Sequence, residues 1–274
     1  MLFVLMTLLS AAALNGAAAV FNGDRIGATL GRAAGYLAVA ALLIAGSIRL
    51  LKRDDLPADR LGLAPTGAHA RAFLVGIVGA CLFMAVLIAA LAVASPFDWQ
   101  PGSRSSRDVG LAGVSYLCGN FVEELLFRGY ALIALARVIG TTRALWILAL
   151  PFGLFHAPGL DAMALGKMIL TTGAMHFVFA YAYLGTRSLW AATSLHALAN
   201  LLLHAISGWG QGASVFNAVL HRPLPVSFDL PFVVCLTSAA GIALLMSRLS
   251  AVRRGAAWLE GAELRDLTRP RSHG

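Results

Sequence analysis

Residues that could do chemistry gather in three short stretches between positions 116 and 204. The first, residues 120–128, contains two adjacent carboxylates, Glu123 and Glu124, and ends in Arg128. Adjacent side chains on a helix point about 100° apart, so the two carboxylates need not share a role. Glu124 and Arg128 are four residues apart and lie on one helix face in the favourable order for an ion pair. The spacing predicts that these two neutralise each other, while Glu123 projects toward another partner.

The other two stretches each supply a histidine. Phe152 lies one helical turn before His156, on the same face, where its ring can shield the imidazole. His196 and Asn200 also share a face, so Asn200 can help to orient a group near His196. A lone histidine in an apolar segment is often a packing residue, and for His156 that role and a catalytic or ligand role both stay open.

Carboxylate, imidazole and amide groups are the parts needed to hydrolyse an amide with activated water. A carboxylate in a pocket of low dielectric constant can serve as a general base, and a histidine with Asn200 can donate to the developing oxyanion. A rise of about 1.5 Å per residue lets Glu123, His156 and His196 meet within one bilayer, in a polar cavity. The G-x-S-x-G and H-E-x-x-H motifs are absent from the sequence. Hydrolysis without a covalent intermediate is therefore favoured over a serine mechanism.

The composition indicates which elements must position these residues. Of the 274 residues, 59% are hydrophobic and 12% charged, and the mean hydropathy is +0.78. Soluble domains carry about 25% charged residues. This composition excludes a water-soluble globular protein, a disordered chain and a disulfide-rich secreted module. It predicts an all-α polytopic membrane protein with its catalytic cavity within the bilayer.

A spanning helix needs about 20 mainly apolar residues, and eight runs meet or approach that length. They are residues 2–21, 33–48, 72–95, 109–127, 144–156, 168–184, 189–206 and 230–247. About eight transmembrane helices are therefore predicted. The first run is expected to be a retained helix rather than a signal peptide, because no basic residue precedes it. The fourth is expected to continue past Phe127, since residues 129–138 also have a helical pattern.

The runs divide the chain into four predicted parts. Residues 1–108 form about three N-terminal transmembrane helices with their loops, and residues 109–206 form the core that carries the chemistry. Residues 207–247 hold the last loop and helix, and residues 248–274 form a basic cytoplasmic tail. If both termini are cytoplasmic, 15 of the 21 lysine and arginine residues lie on the cytoplasmic side. This bias explains the net charge of +8 without a nucleic-acid partner.

The order of the three motifs resembles the CAAX protease and bacteriocin-processing (CPBP, or Abi) family of intramembrane proteases, which is related to type II CAAX prenyl endopeptidases. The motifs are E-E-x-x-x-R at residues 123–128, F-x-x-x-H at residues 152–156 and H-x-x-x-N at residues 196–200. The segment 60–63, Arg-Leu-Gly-Leu, also resembles a short motif that often precedes the family core. The resemblance covers about residues 109–206.

The resemblance implies an intramembrane endopeptidase that cleaves a protein or peptide substrate. Glu123 would activate the water, His156 and His196 would complete the site, and Asn200 would help to stabilise the oxyanion. The resemblance also implies a structural or substrate-orienting role for three residues: Glu124, Arg128 and Phe152.

Cofactor and partners follow from the same resemblance. No cofactor is expected to be required, but Glu123, His156 and His196 would hold a zinc ion if the enzyme uses one. The expected partners are a protein or peptide substrate reached from the membrane and the lipid bilayer, and nucleic acid is not expected. The Ala-, Gly- and Arg-rich composition indicates a bacterial protein, and hence the plasma (inner) membrane.

Two other functions stay open. A non-catalytic membrane scaffold or immunity protein of the same fold would be recognised by missing catalytic residues, and here all are present. A proton or ion carrier would use Glu123 and the two histidines as a relay, because ionisable groups inside a bilayer are costly and usually functional. Nothing in the sequence favours the carrier over hydrolysis.

Overall fold

The computed structural model describes residues 25–156, 161–207, 214–220 and 230–261. The first hydrophobic run and the end of the predicted basic tail, residues 262–274, lie outside these ranges. The helices are α1 (Arg25–Arg53), α2 (Gly67–Ala94), α3 (Ser106–Arg128), α4 (Tyr130–Ile139), α5 (Thr141–Phe155), α6 (Ala162–Thr186), α7 (Leu189–Asn200), α8 (Leu230–Ser247) and α9 (Ser250–Glu260). Shorter elements are a 3-10 turn (Ala58–Leu61), a π-helical segment that continues α7 (Leu201–Ile206), and two strands, β1 (Phe97–Pro101) and β2 (Phe216–Leu220).

The polytopic helical architecture predicted from composition is confirmed in its coarse form. Four helices are long and apolar enough to cross a membrane, namely α1, α2, α6 and α7 with its π-helical extension. The pair α8 and α9, bent by 75°, passes the same test when taken together. The described residues therefore supply four or five candidate spans, and the predicted eight are not confirmed.

Two helices occupy predicted spans without meeting this test, for different reasons. α5 has 15 residues, about 22 Å, which is shorter than the hydrocarbon core of about 30 Å. α3 has 23 residues and is long enough, but it carries both carboxylates of the first motif together with Arg107, Asp108 and Arg128. The charged residues that could take part in chemistry thus also lower the mean hydropathy of α3, so the helix does not meet the test for a membrane span.

α3 ends at Arg128 and does not continue through the following residues, contrary to the expectation from sequence. Gly129 has φ −73° and ψ −135°, and a separate helix begins at Tyr130. A Cβ at Gly129 would collide with the carbonyl of Leu125, so glycine permits this abrupt change of direction. The break leaves Arg128 as the last residue of the helix that carries Glu123.

One end of the helix bundle collects most of the basic residues. Here the Arg60 guanidinium donates to the carbonyl of Leu259 (2.8 Å), and the Glu260 carboxylate accepts from the backbone N–H of Thr141 (2.7 Å). Twelve of the 17 lysine and arginine residues in the described ranges lie at this end, which we call the basic end. They are Arg49, Lys52, Arg53, Arg60, Arg71, Arg128, Arg137, Arg143, Arg187, Arg248, Arg253 and Arg254.

The opposite end carries a small antiparallel ribbon that the all-α prediction did not include. β1 pairs with β2, with Phe97 opposite Leu220 and Pro101 opposite Phe216. The ribbon joins the connection between α2 and α3 to the chain that follows α7. We call this the strand end.

The segment 60–63 lies against the turn between α6 and α7 at the basic end. Gly62 has φ +64°, a conformation that favours glycine, and a Cβ there would collide with the backbone of Arg187. The Trp190 indole N–H donates to the carbonyl of Leu63 (3.3 Å). The segment therefore holds the start of α7, the helix that carries the third motif.

Candidate active site

The two carboxylates of α3 face different partners. Glu123 Oε2 lies 3.2 Å from His156 Nε2. Glu124 Oε1 lies 3.2 Å from Arg128 Nη1 and 2.8 Å from His196 Nδ1. The ion pair expected from the spacing is thus formed, and Glu123 points to a separate group. The contact between Glu124 and His196 joins α3 to α7 and was not expected from the sequence.

Arg128 is the centre of a buried network at the end of α3, with a side chain that is 0% exposed. Its Nη2 donates to the carbonyl of His176 on α6 (2.9 Å) and lies 3.1 Å from His176 Nδ1. Its guanidinium carbon lies 4.6 Å from the ring centroid of Phe152 and 5.6 Å from that of Phe179. An unpaired buried charge is strongly destabilising, so these contacts and Glu124 allow the cation to stay inside the bundle.

The hydrogen bonds fix which nitrogen of each imidazole faces the site. His156 Nδ1 lies 2.8 Å from the carbonyl oxygen of Phe152, and since a carbonyl only accepts, Nδ1 carries a proton. His196 Nδ1 donates in the same way to the Glu124 carboxylate. In both rings Nδ1 is therefore occupied by a hydrogen bond, and Nε2 faces the site. The 3.2 Å contact between His156 Nε2 and Glu123 needs a shared proton, because two lone pairs would repel.

Aromatic rings enclose the imidazoles. The Phe152 ring lies 4.7 Å from the His156 ring, centroid to centroid, in the position expected from their spacing. Phe179 stacks on His196 at 4.1 Å, with the ring planes 19° apart. Phe179 was missed in the sequence because α6 carries several aromatic residues. Its spacing could nevertheless have indicated a role at the site, because Phe179 lies three residues after His176, on the same helix face.

The structure brings three of the predicted site residues together from three helices. One potential ligand atom each from Glu123, His156 and His196 lies within 4.8 Å of the others. The Glu123 side chain is 18% exposed and that of His156 is 23% exposed, whereas His196 is buried. His156 also lines a cavity, whereas the Glu123 oxygen that faces it, Oε2, is itself buried.

A cavity of about 520 Å³ extends from these imidazoles toward the strand end. His156 and His196 line its inner part, and Asn200 lines it one turn further along α7. Lys167 and the exposed His204 line its outer part. The cavity thus places the predicted amide beside the histidines and gives an extended ligand room to reach them.

The three clustered residues have the chemistry of a metal-ligand set. One carboxylate and two imidazoles are the protein ligands of some catalytic zinc sites. The Nδ1 hydrogen bonds of both histidines are the usual support for metal-binding imidazoles. The set therefore fits a zinc ion. Without an ion, Glu123 Oε2 has His156 Nε2 as a neighbour at 3.2 Å but is a buried oxygen without a hydrogen bond of good geometry.

The buried ion pair generates a prediction about stability. Glu124→Gln or Arg128→Met alone leaves a buried charge without its main partner, so each should reduce the free energy of unfolding by about 3–5 kcal/mol. The double variant should lose less than the sum of the two, with a coupling of roughly 1–3 kcal/mol. Denaturation of the purified protein in detergent measures all three losses.

Arg137→Met is the control, because Arg137 is an exposed arginine at the same end of the bundle. It should change the free energy of unfolding by no more than about 0.5 kcal/mol. Strictly additive losses for Glu124→Gln and Arg128→Met would contradict the assigned pairing.

Residues 105–202 match the family model described as type II CAAX prenyl endopeptidase Rce1-like. The match begins just before α3 and ends just after α7, so it includes all seven predicted site residues. No curated protein matches the chain. This match confirms the CAAX-protease resemblance of the three motifs, which all lie within residues 105–202.

Proposed function

We propose that this protein is an intramembrane endopeptidase that hydrolyses a peptide bond of a protein or peptide substrate with water activated by Glu123. The Rce1-like domain supports a CAAX-type intramembrane protease in general terms. One observation carries the finer assignment. The Glu123 carboxylate and the imidazoles of His156 and His196 lie within 4.8 Å of one another beside a cavity between apolar helices.

Glu123 is the proposed general base because it is the partly exposed carboxylate of the pair. Glu124 is fully buried and is held by Arg128 and His196. A water molecule bound to Glu123 would transfer a proton to the carboxylate as its oxygen attacks the carbonyl carbon of the substrate. The carbon–nitrogen bond then breaks, and the proton passes from Glu123 to the leaving amine. No bond forms between enzyme and substrate.

The imidazoles and the amide are proposed to stabilise the oxyanion. Asn200 can donate from its amide without changing charge. His196 can donate from Nε2 only as the imidazolium, and the Glu124 carboxylate at Nδ1 stabilises that form. With His196 charged, the Glu124 carboxylate lies between two cations, the His196 imidazolium and the Arg128 guanidinium.

We propose that the reaction needs no cofactor, because the contact between Glu123 and His156 already provides a base and a proton-sharing partner. If a zinc ion binds, Glu123, His156 and His196 would hold it, and it would lower the pKa of a bound water.

Replacing Glu123 with glutamine tests the proposed function. Glu123→Gln keeps the size of the side chain but removes the base, so cleavage should fall by about 10²–10⁴-fold while the protein still inserts in the membrane. Mass spectrometry of membrane peptides from cells with wild type or variant identifies the cleaved substrate. The purified proteins are then compared on that peptide.

Asp98→Ala is the matched control, since it removes an exposed carboxylate from β1 and should cleave like wild type. Chelation of metals should leave the wild-type rate unchanged. A loss that zinc restores would overturn the cofactor-free mechanism. Full cleavage by Glu123→Gln would contradict the base assignment, and identical peptide patterns in cells with and without the protein would favour the scaffold function.

We further propose a bacterial plasma membrane location with the basic end and both termini in the cytoplasm. The asymmetry of 12 against 5 basic residues in the described ranges supports this orientation. The outer part of the cavity, at the strand end, would then face away from the cytoplasm.

Labelling of introduced cysteines tests this orientation. In a chain whose natural cysteines are replaced by alanine, His204→Cys should react with a membrane-impermeant thiol reagent on intact cells. Arg137→Cys should react only after permeabilisation. Both residues are exposed, so the opposite pattern would contradict the orientation.

A further inference from the structure

A buried amide on α3 is left without a hydrogen bond. Asn120 is 4% exposed, and its Nδ2 is a buried nitrogen that has no partner among the described residues. Burial takes away the hydrogen bonds that such a group makes with water, so an amide that nothing compensates is costly. Most buried polar groups in native proteins are satisfied. The retention of an asparagine here therefore points to a neighbour that can accept a hydrogen bond from it.

The packing of α3 against α7 identifies that neighbour, because two contacts align the helices. Nearer the basic end, Glu124 Oε1 lies 2.8 Å from His196 Nδ1. Nearer the strand end, the ring centroids of Tyr116 and His204 lie 6.4 Å apart. Between the first contact and the second, the residue number falls by eight on α3 and rises by eight on the facing chain. The two segments therefore run antiparallel, with one stripe of each against the other.

Asn120 and Asn200 lie at the same level between these two contacts. Asn120 is four residues from each contact along α3, and Asn200 is four residues from each along the facing chain. Residues four apart share a helix face, so both amides belong to the stripes that meet at this interface. Asn200 lines the cavity, whereas Asn120 is buried on the helix behind it.

An amide that stabilises an oxyanion must be held in one orientation. For Asn200 to donate to a substrate, its Nδ2 must point into the cavity. Its Oδ1 then points away from the cavity, because the two atoms lie on opposite sides of the amide carbon. An amide oxygen is an acceptor, and Asn120 Nδ2 is a donor in need of one. Rotation of the Asn200 side chain exchanges its nitrogen and oxygen, so a fixed donor behind it favours the orientation that serves the reaction.

We propose that Asn120 is a positioning residue, whose Nδ2 donates to the amide oxygen of Asn200 and so directs the Asn200 nitrogen at the oxyanion. The inference rests on the proposed function, because it deepens the role of Asn200 in that reaction. Hydrogen bonds at a catalytic site are often long or poorly aligned until a substrate is bound, which accounts for the open pair in the structure. Asn120 acts only through Asn200, and no bond to it forms or breaks.

A double-mutant cycle on cleavage tests this positioning. Asn120→Leu keeps the approximate volume of the side chain but removes the donor, and Asn120→Ala replaces it if the leucine variant does not fold. Loss of an oxyanion donor costs about 10²–10³-fold in kcat, so a donor that points correctly for only part of the time should cost roughly tenfold, with little change in KM. In an Asn200→Ala background, the same replacement should have no further effect on kcat.

Thr193→Val is the matched control for these kinetics. It removes another buried group without a hydrogen bond, the Thr193 hydroxyl, which lies on α7 three residues before His196. Its kcat and KM should equal those of wild type. A fall in kcat for Asn120→Leu that persists in the Asn200→Ala background, or that Thr193→Val reproduces, would overturn the proposal.

Unfolding equilibria keep the test independent of catalysis. Denaturation in detergent is measured for Asn120→Leu, Asn200→Ala and the double variant. If the amides pair, the double variant should change the unfolding equilibrium constant by at least about threefold less than the product of the single changes, whereas Thr193→Val combined with Asn200→Ala should give the simple product. Coupling without any peptide cleavage by wild type would leave the pairing standing and sink the protease function. Cleavage without coupling would leave the protease function standing and sink the pairing.

Discussion

The site depends on one buried cation. Arg128 is fully buried at the end of α3, where an unpaired guanidinium would be strongly destabilising. Its partners come from its own helix, through Glu124, and from α6, through His176. Glu124 in turn holds His196 of α7. One charge thus ties three helices together, and it leaves Glu123 to face His156.

This arrangement divides two adjacent carboxylates between structure and chemistry. Glu124 balances a cation and orients an imidazole, so it is not free to bind water. Glu123 lies about 100° around the helix, where its side chain is partly exposed beside the cavity. Apolar helices surround both residues, and polar interactions in such surroundings are stronger than in water. An ionisable group placed there is costly, so few occur in the apolar segments. The few that do occur therefore identify the site.

The local geometry of the site could be predicted from sequence, and its contacts between helices could not. The Glu124–Arg128 pair and the position of Phe152 beside His156 follow from residues four apart on one helix. The bond from His196 to Glu124 depends on how α7 packs on α3, which no spacing within one segment encodes. The predicted count of eight spans is not confirmed, because the charges of α3 lower its hydropathy, α5 is short, and the first run lies outside the described residues.

The central claim is that Glu123 and His156 act as one unit on a water molecule. The most direct test is a double-mutant cycle on kcat/KM for a cleaved peptide, with Glu123→Gln, His156→Gln and the double variant. If the two residues act together, the double variant should be about as slow as the slower single variant. Losses that multiply, so that the double variant falls by the product of the two single effects, would show that the residues act independently and would contradict the account.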